Sequence, residues 1–250
     1  MRVRGSLMNM LAVLAVVMPL QVPSCGPPDV AVVRVEFYRA GGYRFSWRER
    51  RAVERIAEAA VTDARRFLPG LPGQILVKVR AGANVIPETG ELSNAFTPNV
   101  VWWDVNPRHA GGVRATAERE LRASLFHAFT HLVRNNAHRS KGLTEEFIGE
   151  GLAIAFERDF ARVSRPWGDY SGTDETRVRD VLGMPDEQAW GAWLRADRQG
   201  RRWAGHRVGT LLVDRASRQA RLTPAQMVTM PAEDVIRLAG FESPATVSRR

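Results

Sequence analysis

Hydrophobic residues cluster, or alternate with polar residues, in three short segments of the chain, a pattern typical of β-strands. The segments are Val30–Tyr38, Gln74–Arg80 and Val100–Val105. They are rich in β-branched or aromatic residues, and the third is followed by Asn106 and Pro107, which favour a turn. The pattern therefore predicts a small sheet in the first half of the chain.

Longer segments repeat their hydrophobic residues at helical spacing. The first predicted helix begins at Ser46, which has capping-box spacing to Glu49, and ends at Leu68 before a Pro-Gly pair. The other predicted helices are Thr116–Asn135, Thr144–Arg162 and most of the chain after Glu175, with Trp190, Trp193 and Trp203 as candidate core residues. Because strands come first and helices last, the predicted class is α+β: a small mixed or antiparallel sheet with an edge strand, packed on a mainly helical body.

The start of the chain has the pattern of a secretory leader. Two arginines precede the uncharged apolar stretch Leu7–Val22, which is shorter than the ~20 apolar residues that a membrane-spanning helix needs. We expect residues 1–24 to form a signal peptide, residues 25–29 a short tether, and residues 30–250 one domain outside the cytoplasm.

Cys25 is the only cysteine, and it follows Val22, Pro23 and Ser24. This segment resembles the lipobox of bacterial lipoproteins, in which the cysteine is lipidated and becomes the mature N-terminus. The resemblance implies a protein anchored to a membrane of the bacterial cell envelope, because two acyl chains hold a bilayer far more firmly than one. The alternative is an ordinary cleaved leader with an incidental cysteine, and a secreted domain.

The formal net charge of +9 comes almost wholly from arginine, since Lys78 and Lys141 are the only lysines. The positive residues are scattered through the chain, whereas nucleic-acid-binding proteins collect them on one face or helix. We therefore expect no nucleic-acid partner. Attraction to anionic lipid or to a cell-wall polymer fits an exported basic protein better.

Two histidines in the predicted helix Thr116–Asn135 have the spacing of metal ligands. His127 and His131 are four residues apart, so both imidazoles leave the same helix face one turn apart. That spacing suits two nitrogen ligands of a tetrahedral zinc ion. Glu150 follows nineteen residues after His131, on the next predicted helix, where its carboxylate can complete a His2Glu site with a fourth position for water.

The segments H-A-F-T-H and E-G-L-A together resemble the gluzincin metallopeptidases, and among them the bacterial family described as predicted zinc-dependent proteases. The resemblance extends over roughly Val30–Phe241. It implies a zincin-like domain that hydrolyses peptide bonds with metal-activated water, and it implies that His127, His131 and Glu150 hold the zinc.

Two further segments carry the same resemblance. Ser93–Pro98 followed by Val100–Val105 resembles the edge strand of the family, which implies a peptide or protein substrate paired along Val100–Val105. His206, between two glycines in G-H-R-V-G, resembles a downstream residue that places a polar side chain near the metal. Glu146 lies one helical turn before Glu150 and is expected to face the same way.

The chain departs from the family at Ala128, where the family has a glutamate that takes a proton from the attacking water and delivers it to the leaving amine. Such acid–base work contributes typically ~10²–10⁴-fold in rate. One interpretation is an enzyme with reduced or lost activity, whose rate Ala128→Glu should raise. In another, Glu145, Glu146 or a carboxylate of the substrate serves as a substitute base. Others are a non-catalytic peptide- or partner-binding lipoprotein, a residue changed in this copy, or a structural envelope protein without metal.

Four other polar residues are expected to have ordinary roles. His109 and His138 lie in polar stretches and are expected to be exposed rather than ligands. Tyr170 is expected to be a surface tyrosine rather than an oxyanion donor. Arg134, one turn beyond His131, is expected to pair with a nearby carboxylate.

Overall fold

The computed structural model describes residues 32–39, 42–138, 142–182 and 202–241. The predicted signal peptide, the tether with Cys25, and the tryptophans Trp190 and Trp193 lie outside these residues. Within the described ranges, no helix has both the length and the apolar character that crossing a bilayer requires.

Four strands form one mixed sheet in the spatial order β1-β2-β4-β3. The strands are β1 (Val32–Tyr38), β2 (Gln74–Ala81), β3 (Glu91–Thr97) and β4 (Val100–Val105). β1, β2 and β4 run parallel, and β3 runs antiparallel to β4. The three predicted strands are therefore confirmed, and β3 is an additional one.

The prediction that Val100–Val105 forms the edge is wrong. The chain reverses after β3 through a turn in which Asn99 adopts a positive φ of 60°, which asparagine tolerates. This turn places β4 between β2 and β3. The physical reason is burial, because Val101 and Trp103 of β4 are fully buried, whereas β3 is more polar and suits an edge.

The first helices cover one face of the sheet. They are α1 (Trp47–Ala64), α2 (Gly112–Thr116), a π-helical turn (Ala117–Leu121) and α3 (Arg122–Ala137). The predicted capping box is confirmed, since Glu49 N donates to Ser46 Oγ at 3.3 Å and Ser46 N donates to the Glu49 carboxylate at 2.7 Å. Buried residues of α1 and α3 pack with Val77 and Trp103 in what we call the sheet-side core.

A second hydrophobic cluster, the helical core, is built by the later elements, with Phe147, Leu152 and Leu212 among its residues. They are α4 (Leu143–Phe156), a π-helical turn (Glu157–Ala161), a 3-10 turn (Pro166–Gly168), α5 (Gly172–Leu182), α6 (Ala204–Ala220), α7 (Pro224–Met227) and α8 (Ala232–Leu238). Trp203 is half-buried and its ring contacts Trp167 at 5.3 Å. The α+β class is confirmed.

Helices α4 and α6 cross with their backbones in contact. A Cβ added to Gly151 would lie 2.3 Å from the carbonyl of Gly209, and one added to Gly209 would lie 2.0 Å from the carbonyl oxygen of Phe147. Only glycine therefore fits at this crossing. Because Glu150 precedes Gly151 and His206 lies one turn before Gly209, the crossing brings these two side chains together.

Candidate metal site

Three side chains from α3 and α4 converge on one point: His127, His131 and Glu150, called the candidate ligands below. The Nε2 atoms of the two imidazoles are 3.1 Å apart. Glu150 Oε2 lies 3.3 Å from His127 Nε2, and Glu150 Oε1 lies 3.5 Å from His131 Nε2. Four ligand atoms placed tetrahedrally around zinc at ~2.0–2.1 Å lie about 3.3–3.4 Å from one another. The candidate ligands could therefore hold a metal ion, and zinc is among the ions of suitable size.

The electrostatics of the site favour a positive charge between the candidate ligands. Burial raises the pKa of Glu150, but His131, His206 and His127 outweigh it and hold the pKa well below its usual range. Burial lowers the pKa of His127, but Glu150 and Glu157 outweigh it and raise the pKa to about 10. Glu150 is therefore ionised, and the surrounding carboxylates stabilise a cation beside it.

An ion-pair network of Glu157, Arg165 and Glu120 lies on the Nδ1 side of the His127 ring. Glu157 Oε2 lies 3.5 Å from His127 Nδ1, and Arg165 donates to Glu157 and to Glu120. Glu120 and Glu157 lie in the two π-helical turns, which flank the helices that carry the candidate ligands. A carboxylate on one ring nitrogen fixes the tautomer of a ligand histidine and directs the other nitrogen to the metal. Nε2 of His127 is thus left to face the other candidate ligands.

His206 lies next to the candidate ligands, as predicted. Its Nε2 is 3.3 Å from Glu150 Oε2, and its ring meets the ring of Trp203 edge-on at 5.0 Å. Its Nδ1 is buried and has no hydrogen-bond partner among the described residues. His206 can therefore serve as a fourth ligand or as a hydrogen-bond donor beside the ligands.

The candidate ligands line a cleft whose opposite wall is β3. From β3 it is lined by Glu91, Leu92, Ser93, Asn94 and Ala95, and from the helical side by Glu146, Trp167, Trp203 and His206. Two hydrogen bonds hold β3 against α3, from Ser93 Oγ to the Ser124 carbonyl and from Asn135 Nδ2 to the Ala95 carbonyl, both at 3.1 Å. The edge strand beside the site is therefore β3, not β4.

The two proposed substitute bases lie in different places. Glu146 lines the cleft, as predicted. Glu145 does not, because its carboxylate binds Arg134 and accepts a hydrogen bond from Ala232 N at 3.0 Å. The prediction that Arg134 pairs with a nearby carboxylate is confirmed. Ala128 is only 1% exposed and packs in the sheet-side core.

The remaining polar residues lie apart from the candidate ligands. Tyr170 Oη donates to Asp214 at 2.9 Å, and His138 Nε2 lies 2.6 Å from the Thr229 carbonyl oxygen. His109 contacts Arg119 at 3.4 Å. His109 and His138 are part of no metal-ligand group in the described residues.

Three residues of the site were missed by the sequence analysis. Glu157 follows Glu150 by seven residues, so two helical turns place both on one face, and this spacing was a usable signal. Arg165 has no local signal, because its partners are eight and 45 residues away. Glu91 has none either, since its burial depends on the pairing of β3 with β4.

Comparison with protein-family models, curated proteins and solved structures found no match to this chain. The chemistry of the site therefore carries the functional inference by itself.

Proposed function

We propose that this chain binds zinc through His127, His131 and Glu150 and acts as a zinc metallopeptidase-like protein on extended peptides. The observation that carries the proposal is the convergence of two imidazole nitrogens and the Glu150 carboxylate from two consecutive helices, with N–N and N–O distances of 3.1–3.5 Å. Two histidines and a glutamate with an open fourth position are the ligand set of several catalytic zinc sites. A zinc ion there supplies a Lewis acid that polarises a carbonyl and acidifies water.

The chain's own residues supply orientation and charge stabilisation. Glu157, held by Arg165, orients His127. His206 lies beside Glu150, where an Nε2–H can stabilise an oxygen that gains negative charge during hydrolysis. Positioned donors of this type are among the largest contributors to catalysis.

The substrate partner is an extended peptide lying along β3. This strand forms one wall of the cleft and is an edge of the described sheet. An edge strand can add a peptide through main-chain hydrogen bonds, while side chains such as Leu92 and Trp167 contact the peptide side chains. The proposed docking strand therefore moves from Val100–Val105 to Glu91–Thr97.

Zinc content tests the metal site directly. Protein dialysed against excess zinc and then against buffer should retain zinc near 1:1 by elemental analysis. His131→Ala should lose it, because sites with three protein ligands rarely survive the loss of one. His138→Ala is the matched control, since His138 ends the same helix but binds the Thr229 carbonyl. Native protein without zinc would refute the metal site.

A second function, peptide binding without hydrolysis, is favoured by Ala128, which supplies no group for proton transfer. Hydrolysis of an unstructured protein such as labelled casein distinguishes the two functions. A zinc-loaded native protein that binds casein without cleaving it would establish the binding function.

We also propose that the protein is exported and anchored to the cell envelope through Cys25, on the basis of the leader and lipobox-like sequence. Mass spectrometry of membrane-extracted protein should show acyl chains on Cys25. An unmodified thiol there would leave an ordinary leader as the better interpretation.

A further inference from the structure

Glu91 is a buried carboxylic acid in the wall of the cleft. It begins β3, and it is 2% exposed although it lines the same cleft as the candidate ligands. Trp103 Nε1 and Ser124 Oγ both donate to its Oε2, at 2.9 and 2.7 Å. These two donors fix the position of the carboxylate against α3.

The position of this carboxylate is related to that of Ala128. Ser124 and Ala128 are four residues apart on α3, so they lie on the same stripe of the helix, one turn from each other. Side chains on a helix lean toward its N-terminus, and a long side chain at residue 128 would therefore extend over the turn that holds Ser124. The carboxylate of Glu91 is bonded to Ser124 and lies at that turn.

We propose that Glu91 is the catalytic base and acid of this cleft, supplying from the edge strand the carboxylate that α3 lacks at Ala128. The inference rests on the proposed zinc-dependent hydrolysis. Glu91 takes one proton from the attacking water as the new bond forms between the water oxygen and the peptide carbonyl carbon. It returns this proton to the peptide nitrogen as the C–N bond breaks, so one water and one peptide give an acid and an amine.

The environment of Glu91 suits this role. Burial raises the pKa of Glu91, while the hydrogen bond from Ser124, the charge of Arg165 and the hydrogen bond from Trp103 act against that rise. A carboxylate whose pKa is raised is a stronger base, which suits a group that takes a proton and then returns it. Trp103 is itself fully buried, so the carboxylate is held by a rigid part of the sheet-side core.

Glu91→Gln tests the inference in the full-length, zinc-loaded protein. The amide keeps an oxygen that accepts from Trp103 and Ser124, so the fold is retained, but it cannot take a proton. We expect zinc to stay near 1:1 and kcat/KM on fluorescein-labelled casein to fall by ~10²–10⁴-fold. Glu118→Gln, an exposed carboxylate in the first π-helical turn, is the control and should behave as the native protein.

Acetohydroxamate binding gives a readout that does not need turnover. The hydroxamate binds as an anion when a nearby carboxylate accepts its proton, and the resulting charge-assisted hydrogen bond is lost in Glu91→Gln. The affinity by calorimetry should fall about 10–100-fold. This measurement also decides the matter if the native protein does not cleave casein.

Moving the carboxylate from residue 91 to residue 128 tests whether both side chains reach the same turn of α3. In the Glu91→Gln background, Ala128→Glu should recover at least tenfold in kcat/KM or in acetohydroxamate affinity, because its side chain reaches toward the same turn. In the native background the same substitution should give no gain, since two carboxylates would then compete for one buried place.

The outcomes separate this inference from the proposed function. If zinc-loaded Glu91→Gln hydrolysed casein at the native rate, or bound acetohydroxamate with native affinity, the proposed role of Glu91 would be wrong. The proposed metal site would be unaffected. Loss of activity in Glu146→Gln but not in Glu91→Gln would assign the base to Glu146 instead. Absence of zinc from the native protein would remove both proposals.

Discussion

Two buried arginines lie at opposite ends of the α3–α4 pair, and they differ in what their partners contact. Arg134, near the end of α3, binds Glu145 at the start of α4 and donates to the carbonyls of Val228 and Met230. Arg165, beyond the end of α4, binds Glu157 and Glu120 from the two π-helical turns. The candidate ligands lie between the two arginine clusters.

The difference is electrostatic as well as topological. Burial lowers the pKa of Arg165, but Glu157 and Glu120 outweigh it, so the pKa is raised. At Arg134 burial outweighs the attraction of Glu145 and Glu146, and the pKa is lowered. Both arginines remain charged. Among the contacts of the described residues, the Arg165 cluster is the one that continues, through Glu157, to a candidate ligand. A buried ion pair is therefore not in itself a sign of function, whereas its connection to a ligand is.

The largest expected effect follows from Arg165→Met. This change leaves the buried Glu157 without its arginine, and it leaves the half-buried Glu120 with only the exposed Arg119 at 3.7 Å. Removal of one partner of a buried pair typically costs ~3–5 kcal/mol. We expect the upper end, about 5 kcal/mol, in the free energy of urea unfolding measured with a chelator present. Because Glu157 is no longer held behind His127, zinc affinity measured by chelator competition should also fall about 10–100-fold.

If Arg165→Met bound zinc with native affinity, the two arginine clusters would not differ in function. Arg165 would then contribute to stability alone. Glu157→Gln tests whether Arg165 affects zinc affinity through Glu157. It keeps an acceptor oxygen and most of the packing, so the same loss of affinity with a smaller loss of stability would identify Glu157 as the link to His127.

A smaller effect is expected from Arg134→Met. Only one carboxylate loses its partner, and Glu145 keeps the backbone N–H of Ala232, so about 3 kcal/mol of stability should be lost. Zinc affinity of the folded protein should not change. A loss of zinc affinity as large as that in Arg165→Met would show that both clusters act on the ligands.

The sequence predicted the features that depend on local spacing. The capping box at Ser46 and the helices that carry the candidate ligands have signals within a few residues. The order of β3 and β4 in the sheet has no such local signal, because Val100–Val105 becomes an interior strand only when it pairs with two other strands. A strand that mixes polar and apolar residues, such as Glu91–Thr97, gives no strong period, so β3 was not predicted as a separate strand.

The residues of the candidate site also fall into those with a local sequence signal and those without one. The histidine pair and Glu150 could be chosen from their spacing, and an ion pair of Arg134 was expected without its partner being identified as Glu145. Glu91 and Arg165 could not, since each meets its partners only after distant segments pack together. The π-helical turns that carry Glu120 and Glu157 also have no marker in the sequence, because one extra residue per turn does not change the hydrophobic pattern visibly.

The glycine crossing of α4 and α6 limits motion in one direction only. Packed side chains can change rotamer and let two helices approach, but main-chain atoms already in contact at Gly151 and Gly209 cannot. The two helices can pivot about this point or separate, yet they cannot move closer. The backbones that carry Glu150 and His206 therefore have a lower limit to their separation, so motion of these helices can widen this side of the cleft more easily than narrow it.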